Sequence, residues 1–204
     1  MPRLSVRLYE KFKDRAASIK STRNKMEGLL IAGAVNLKDI ENLFAGIYME
    51  LFTEFESLLE ELFFGLYNGT YISRHYSIIR KSRIAPVAEI QPIVYGGKSY
   101  VRWLPYKENT LKRAKLFFDL GEPFQQLSNI EVRSISNYHI IRNAIAHKSP
   151  NSLNQFNNFI SGLPLLPREK TPTGYLRSIP GSAGQNQFQI AIVELKMIVN
   201  KRCK

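Results

Sequence analysis

Residues 37–69 read LKDIENLFAGIYMELFTEFESLLEELFFGLYNG, and the spacing of their apolar side chains decides the fold. Leu43, Ile47, Leu51, Phe55, Leu58, Leu59 and Leu62 recur at intervals that place them on one face of an α-helix. Asn36 stands just before the run and Asp39 follows three residues later, an N-cap with an acid in the first turn. Asn68-Gly69 supplies the stop. The stretch predicts the strongest helix of the chain and its central core element. Glu54, Glu60 and Glu61 read as a solvated face, whereas Glu56 lies beside Phe55 on the core side.

Working outward, a first helix is expected from about Leu4 to Leu30. Downstream the character changes. The run IAPVAEIQPIVYGGKSYVRWLPY, residues 84–106, mixes prolines, β-branched and aromatic residues around Gly96-Gly97. It reads as a β-hairpin inserted between helices at about 83–106. Tyr95, Tyr100, Arg102 and Trp103 interleave aromatic and basic groups there, a pattern suited either to stacking on single-stranded bases or to pinning the hairpin on a core. A short helix is expected near Asn109 to Phe118. Ser128 and Glu131 then form a capping box, so a helix should start at about Asn129 and run to Pro150, which disfavours helical geometry at Ser149. A short helix at Ser152 to Ile160, a Pro/Gly/Ser-rich loop at 162–184 and a closing amphipathic helix to about residue 202 complete the expectation. The predicted fold class is all-α, a mainly helical bundle with a small β-hairpin insertion, in one domain covering residues 1–204.

Composition narrows the function classes. The longest apolar run, GLLIAGAV at 28–35, is too short to span a bilayer. The first residues lack the apolar core of a signal peptide. The single cysteine, Cys203, excludes an internal disulfide and a cysteine-based zinc site. A cytoplasmic protein with no membrane partner and no cofactor is the expectation. The charge says more. Lys plus Arg number 29 against 17 acids, a net of +12, and the excess is unevenly spread. Residues 71–115 hold Arg74, Arg80, Lys81, Arg83, Lys98, Arg102, Lys107, Lys112, Arg113 and Lys115 against only Glu89 and Glu108. Residues 37–66 hold Lys38 against seven acids. Such segregation points to a polyanion-binding face, nucleic acid foremost, over a merely basic surface. Arg74, Arg80, Lys81, Arg83, Arg102, Lys112, Arg113 and Lys115 are the candidate RNA contacts.

The candidate chemistry lies in IIRNAIAHKSP, residues 140–150. At ~100° per residue, Arg142 and His147 lie about 140° apart on a helix, while Asn143 and His147 share a face. His139 falls one turn before Asn143. His139, Arg142, Asn143 and His147 thus form a polar stripe beside Ile135, Ile141, Ala144 and Ile145. Small Ala144 and Ala146 leave room for a close approach. Imidazole titrates near neutrality, so His147 suits proton transfer. Arg142 offers a planar, permanently charged fork to phosphoryl oxygens. Asn143 can orient either side chain or the phosphate. One such His per chain is too few for separate acid and base, and a homodimer supplies the second. No carboxylate-rich set with metal-ligand spacing lies near His147.

Arg-Asn-x-x-x-His at the end of an internal helix of an all-α domain resembles the HEPN superfamily. The family motif is an Arg, four to six residues, then a His, with a polar residue, commonly Asn, after the Arg. The Phe-Glu pair in TEFESLLEELF and the tail TPTGYLRSIPG before a final helix are similar to stand-alone bacterial HEPN ribonucleases of toxin or phage-defence type. The resemblance implies a metal-independent endoribonuclease. Two protomers would face their Arg/His helices on one cleft, and RNA would be cut by its own 2′-hydroxyl. Arg142, Asn143 and His147 are then the catalytic residues, and an antitoxin or sensor protein is a candidate partner. Some members carry a Tyr two residues after the His, where Ser149 stands here. His139 is extra to the motif and reads as a structural side chain, and His75 as a surface residue. Rival readings are a helix-capping role for Arg142 and His147, or a catalytically inactive HEPN-like module that holds RNA or a nucleotide. A DNA-binding helical protein is the third, and it lacks helix-turn-helix spacing.

Overall fold

The computed structural model describes residues 3–181 and 184–204. Among them, eight α-helices carry most of the chain, and one pair of two-residue strands forms the only named sheet. The fold is all-α. The helix predicted from the apolar spacing is α2, Leu37–Tyr67, 31 residues long. Its N-terminus closes reciprocally. The Asp39 backbone N–H donates to Asn36 Oδ1 at 3.0 Å, and the Asn36 N–H donates to Asp39 Oδ2 at 3.0 Å. Of the seven predicted core positions on α2, all but half-buried Leu43 are buried. Before it runs α1, Val6–Ile31.

By compactness the chain divides into two units. One takes residues 1–12, 55–136 and 196–204, the other 13–54 and 137–195. Four helices each give a stretch to both: α1, α2, α5 (Asn129–His147) and α8 (Gln187–Cys203).

The first unit centres on Phe63 of α2. Its ring meets Trp103 at 5.2 Å, Phe118 at 5.2 Å, Phe117 at 5.6 Å and Phe124 at 6.0 Å between centroids. These distances lie in the range favoured by aromatic pairs. The strands β1 (Arg3–Leu4) and β2 (Tyr71–Ile72) pair in parallel, with Ser5 N–H donating to the Ile72 carbonyl at 3.0 Å. The Tyr71 ring lies against Gly65, where any side chain would overlap it. That position requires a glycine for close packing.

The stretch expected as a hairpin is a helix followed by irregular chain. Val87–Tyr95 forms α3, with Ile90, Val94 and Tyr95 buried at helical spacing. Gly96 and Gly97 do not turn a hairpin. Gly96 adopts φ 60°, the left-handed geometry of a helix stop, and the N–H groups of both glycines return to the Ile93 and Pro92 carbonyls. Ile90 and Val94 thus pack as one helical stripe, while Ile93 stays exposed. The small strand pair lies elsewhere, as β1 with β2. Beyond it, residues 106–111 form a π turn that leads into α4, Lys112–Phe117.

In the second unit, α2 and α8 meet through aromatic contacts. Phe188 packs on Phe44 at 5.5 Å and on Tyr48 at 6.2 Å. Glu27 accepts two hydrogen bonds from the Arg177 guanidinium, both at 3.2 Å, and Arg177 also lies over the Phe44 ring. Helix α6, Pro150–Ile160, starts two residues before the predicted position, with Pro150 at its first turn and Ser149 as its N-cap. The 162–184 segment is not wholly irregular. Thr171 caps a short helix, α7, Pro172–Arg177, through a bond from the Gly174 N–H. Tyr175 of α7 packs against Phe156 and Phe159.

Candidate functional site

Helix α5 begins as the capping box predicts. The Glu131 N–H donates to Ser128 Oγ at 3.2 Å, and the Ser128 N–H donates to Glu131 Oε2 at 2.7 Å. Lys201 adds an ion pair to Glu131 at 2.9 Å. The helix ends after His147. Lys148 takes a left-handed φ of 46° and Ser149 is extended, with φ −75° and ψ 154°. Pro150 thus stops one helix and opens the next.

Within the second unit, Tyr138 holds this end of α5 in place. The Tyr48 hydroxyl donates to the Tyr138 carbonyl at 3.0 Å, and the Tyr138 hydroxyl donates to Glu194 of α8 at 2.6 Å. Burial, then the bond to the Glu194 carboxylate, pushes the Tyr138 phenol well above its ordinary pKa. The phenol therefore stays a proton donor. Tyr175, also near Glu194, is pushed up to about 12, chiefly by burial.

One turn on, the polar stripe is partly assembled. Arg142 Nη1 donates to Asn143 Oδ1 at 3.2 Å. The amide nitrogen of Asn143 lies 3.3 Å from His139 Nε2. With its oxygen taken by Arg142, the amide turns its nitrogen toward the ring. The structure therefore joins His139, Asn143 and Arg142 in one chain. His147 stands apart from it, exposed in the last turn. The i,i+4 partner that Asn143 takes lies toward the N-terminus of the helix, not toward His147. Arg142 and Asn143 are half-buried, Ala144 is buried and Ala146 exposed. His139, read from the sequence as a hydrogen-bonded structural side chain, is hydrogen-bonded to Asn143. Its position four before Asn143 was the available signal.

The basic segment belongs to the first unit, and its members are not equivalent. Arg80 is consumed by the fold. Its Nε donates to the Tyr67 and Leu66 carbonyls at 2.7 and 2.9 Å, and its Nη2 to Leu66 at 2.6 Å, closing the C-terminus of α2. Lys81 Nζ donates to the Lys115 carbonyl at 2.8 Å. Arg113 lies over the Trp103 ring, 4.8 Å from its centroid, and donates to the Arg102 and Asn109 carbonyls. Burial lowers the Arg113 pKa from its ordinary value, with Glu60 opposing. Arg74, Arg83, Arg102, Lys112 and Lys115 are exposed. The acids of α2 are not merely solvated. Glu60 accepts from the Trp103 indole N–H at 3.2 Å and from the Tyr95 hydroxyl, and Glu61 accepts from the Tyr71 hydroxyl at 2.7 Å. Glu54 receives Arg15.

Trp103 and Tyr95 are buried, so their role in the pattern is packing. Tyr100 is 65% exposed. It lines an open groove of about 630 Å³ with Lys98, Arg102, Asn109 and Arg113. Lys98 and Asn109 were not among the sequence candidates. Lys98 follows Gly96-Gly97 directly within the basic–aromatic run, which was the legible clue.

Among the described residues, no helix is long and apolar enough to cross a membrane, and no group of three or more His, Cys, Asp or Glu side chains is placed to hold a metal ion. Comparison of the chain with known protein families, with curated proteins and with solved structures finds no match.

Proposed function

We propose that this chain is a metal-independent endoribonuclease of HEPN type, acting as a toxin or phage-defence effector. The observation that carries the reading is the bonded chain His139–Asn143–Arg142 on the same helix end as exposed His147. A guanidinium has five N–H donors, so one bond to Asn143 orients the Arg142 fork without exhausting it. That fork suits the charge that builds on the non-bridging oxygens of a five-coordinate phosphorus. His147 suits proton transfer.

The reaction balances without a co-reactant. A base takes the 2′-hydroxyl proton, the 2′-oxygen bonds to the adjacent phosphorus, and the P–O5′ bond breaks. An acid then protonates the leaving 5′-oxygen. Arg142 and His147 lie about 140° apart on α5, so one helix does not readily offer both to one phosphate. Two copies facing each other would supply Arg142 from one and His147 from the other, and two imidazoles in all. RNA and a second copy of the chain are the partners in this reading.

The test is cleavage of mixed RNA by purified protein with and without EDTA. Cutting should continue in EDTA and leave a 2′,3′-cyclic phosphate and a 5′-hydroxyl. A single 2′-deoxy nucleotide at the cut site should block it there. Arg142→Ala and His147→Ala should each cost about 10²-fold or more. Asn143→Ala should cost less than either. Cutting that requires Mg²⁺, or that proceeds through fully 2′-deoxy strands, would overturn the mechanism. Binding without any cutting would leave the inactive RNA- or nucleotide-binding module.

A further inference from the structure

The groove beside Trp103 combines three features that nothing in the cleavage chemistry uses. Its floor is rigid. Trp103 is 2% exposed, packs on Phe63 and donates its N–H to Glu60. The Arg113 guanidinium lies on that ring and is tied to the Arg102 and Asn109 carbonyls. Its rim is cationic, with Lys98 and Arg102 both exposed. And it exposes one large aromatic face, Tyr100. Elsewhere in this unit the aromatic side chains are mostly core, and an exposed tyrosine among anchored and exposed cations has no packing role to explain it.

The groove's volume lies within the range of small-ligand sites. Its polarity selects among ligands. Lys98, Arg102 and Arg113 call for an anion, and with no acid among the lining residues, a cation has no counter-charge there. A bare anion leaves Tyr100 unused. A ligand that carries both a flat ring and a phosphate uses both, since every base has a π-face to stack and a backbone charge to neutralise. We propose that this groove binds a nucleoside phosphate, with the base stacked on Tyr100 and the phosphate held by Lys98 and Arg102, while Arg113 forms the fixed wall. Resting on the ribonuclease reading, the ligand is one nucleotide of a single RNA strand, held away from the bond that is cut. The same chemistry would also accept a free nucleotide.

The test uses the full chain and a fluorescein-labelled 2′-O-methyl uridine dodecamer, followed by fluorescence anisotropy. That strand has no 2′-nucleophile, so the result does not depend on whether the protein cleaves RNA. Tyr100→Ala should weaken binding roughly tenfold, and Tyr100→Phe, which keeps the ring, should restore it. Lys98→Glu and Arg102→Glu should weaken binding and flatten its dependence on salt. Tyr100 is exposed, and circular dichroism of each variant confirms that it is folded. Wild-type affinity in Tyr100→Ala would overturn the proposal, as would a Tyr100→Phe variant that loses as much as Tyr100→Ala. Competitors separate the sources. Displacement by uridine monophosphate, weakened in Tyr100→Ala, identifies a free nucleotide as sufficient. A dodecamer that obeys the variants but resists the mononucleotide identifies the strand. Displacement by inorganic phosphate as effective as by the mononucleotide overturns the stacking assignment.

Discussion

Arg80 shows how a cation in a basic segment can be consumed by the fold. The last carbonyls of a helix have no partner within it, and Arg80 spans two of them, those of Leu66 and Tyr67. The Tyr67 hydroxyl returns the contact by donating to the Arg83 carbonyl at 2.9 Å. Removing the guanidinium leaves half-buried carbonyls short of donors. Arg80→Ala should therefore cost about 1–2 kcal/mol in urea unfolding. It should leave the salt dependence of RNA binding as it is in the wild type. A variant of full stability with a flattened salt slope would return Arg80 to the phosphate-contacting set. Asn143 has the same character in the second unit. Its amide bridges Arg142 on one side and His139 on the other.

At the scale of elements, the N-terminus of α5 carries chemistry that can be tested by pH. Burial works against the Glu131 carboxylate. The Ser128 N–H, Lys201 and the Ser128 hydroxyl outweigh it and hold the Glu131 pKa below its ordinary 4.5. A depressed folded-state pKa contributes stability that is complete above the unfolded value and lost as pH falls through the folded one. Glu131→Gln keeps the capping geometry but not the charge. It should be less stable than the wild type by about 0.5–1 kcal/mol near neutrality, and the difference should close as pH falls from the ordinary value of 4.5 through the lowered folded-state value. A difference that persists in strong acid would mean the charge is not its source. These caps were legible because they are local. Asn36 with Asp39, and Ser128 with Glu131, need only three residues of spacing to announce a helix start. Residues 83–106 were not legible, because glycine pairs and β-branched residues serve a hairpin turn and a helix stop equally well. The choice was made by burial of Ile90, Val94 and Tyr95. The Arg142-to-His147 spacing could be placed on a helix because Ser128, Glu131 and Pro150 bound α5 in the sequence. The groove was not legible, because Lys98, Asn109 and Arg113 meet only once the chain after α3 has folded back.

For the whole molecule, the ribonuclease reading requires two copies, since one chain offers Arg142 and His147 on faces about 140° apart. Light scattering at micromolar concentration should give twice the chain's 23.5 kDa, and a monomer at that concentration would count heavily against the composite site. Charge reversal at Lys112 and Lys115 should weaken RNA binding across sequences and flatten its salt dependence, with His147→Ala leaving both almost unchanged. Binding indifferent to salt would remove the electrostatic argument. The position of Trp103 has an optical consequence. It is the chain's only tryptophan, sealed among Phe63, Phe64 and Arg113 in the first unit. Its emission therefore reports on that unit alone, shifting to the red when water reaches the indole, whereas far-ultraviolet circular dichroism sees the helices of both. Because α1, α2, α5 and α8 each supply residues to both units, the two signals should share one midpoint in urea. An emission shift that runs ahead of the dichroism would reveal a state in which the indole is wet while most of the helix remains, and would give the two units separate stabilities.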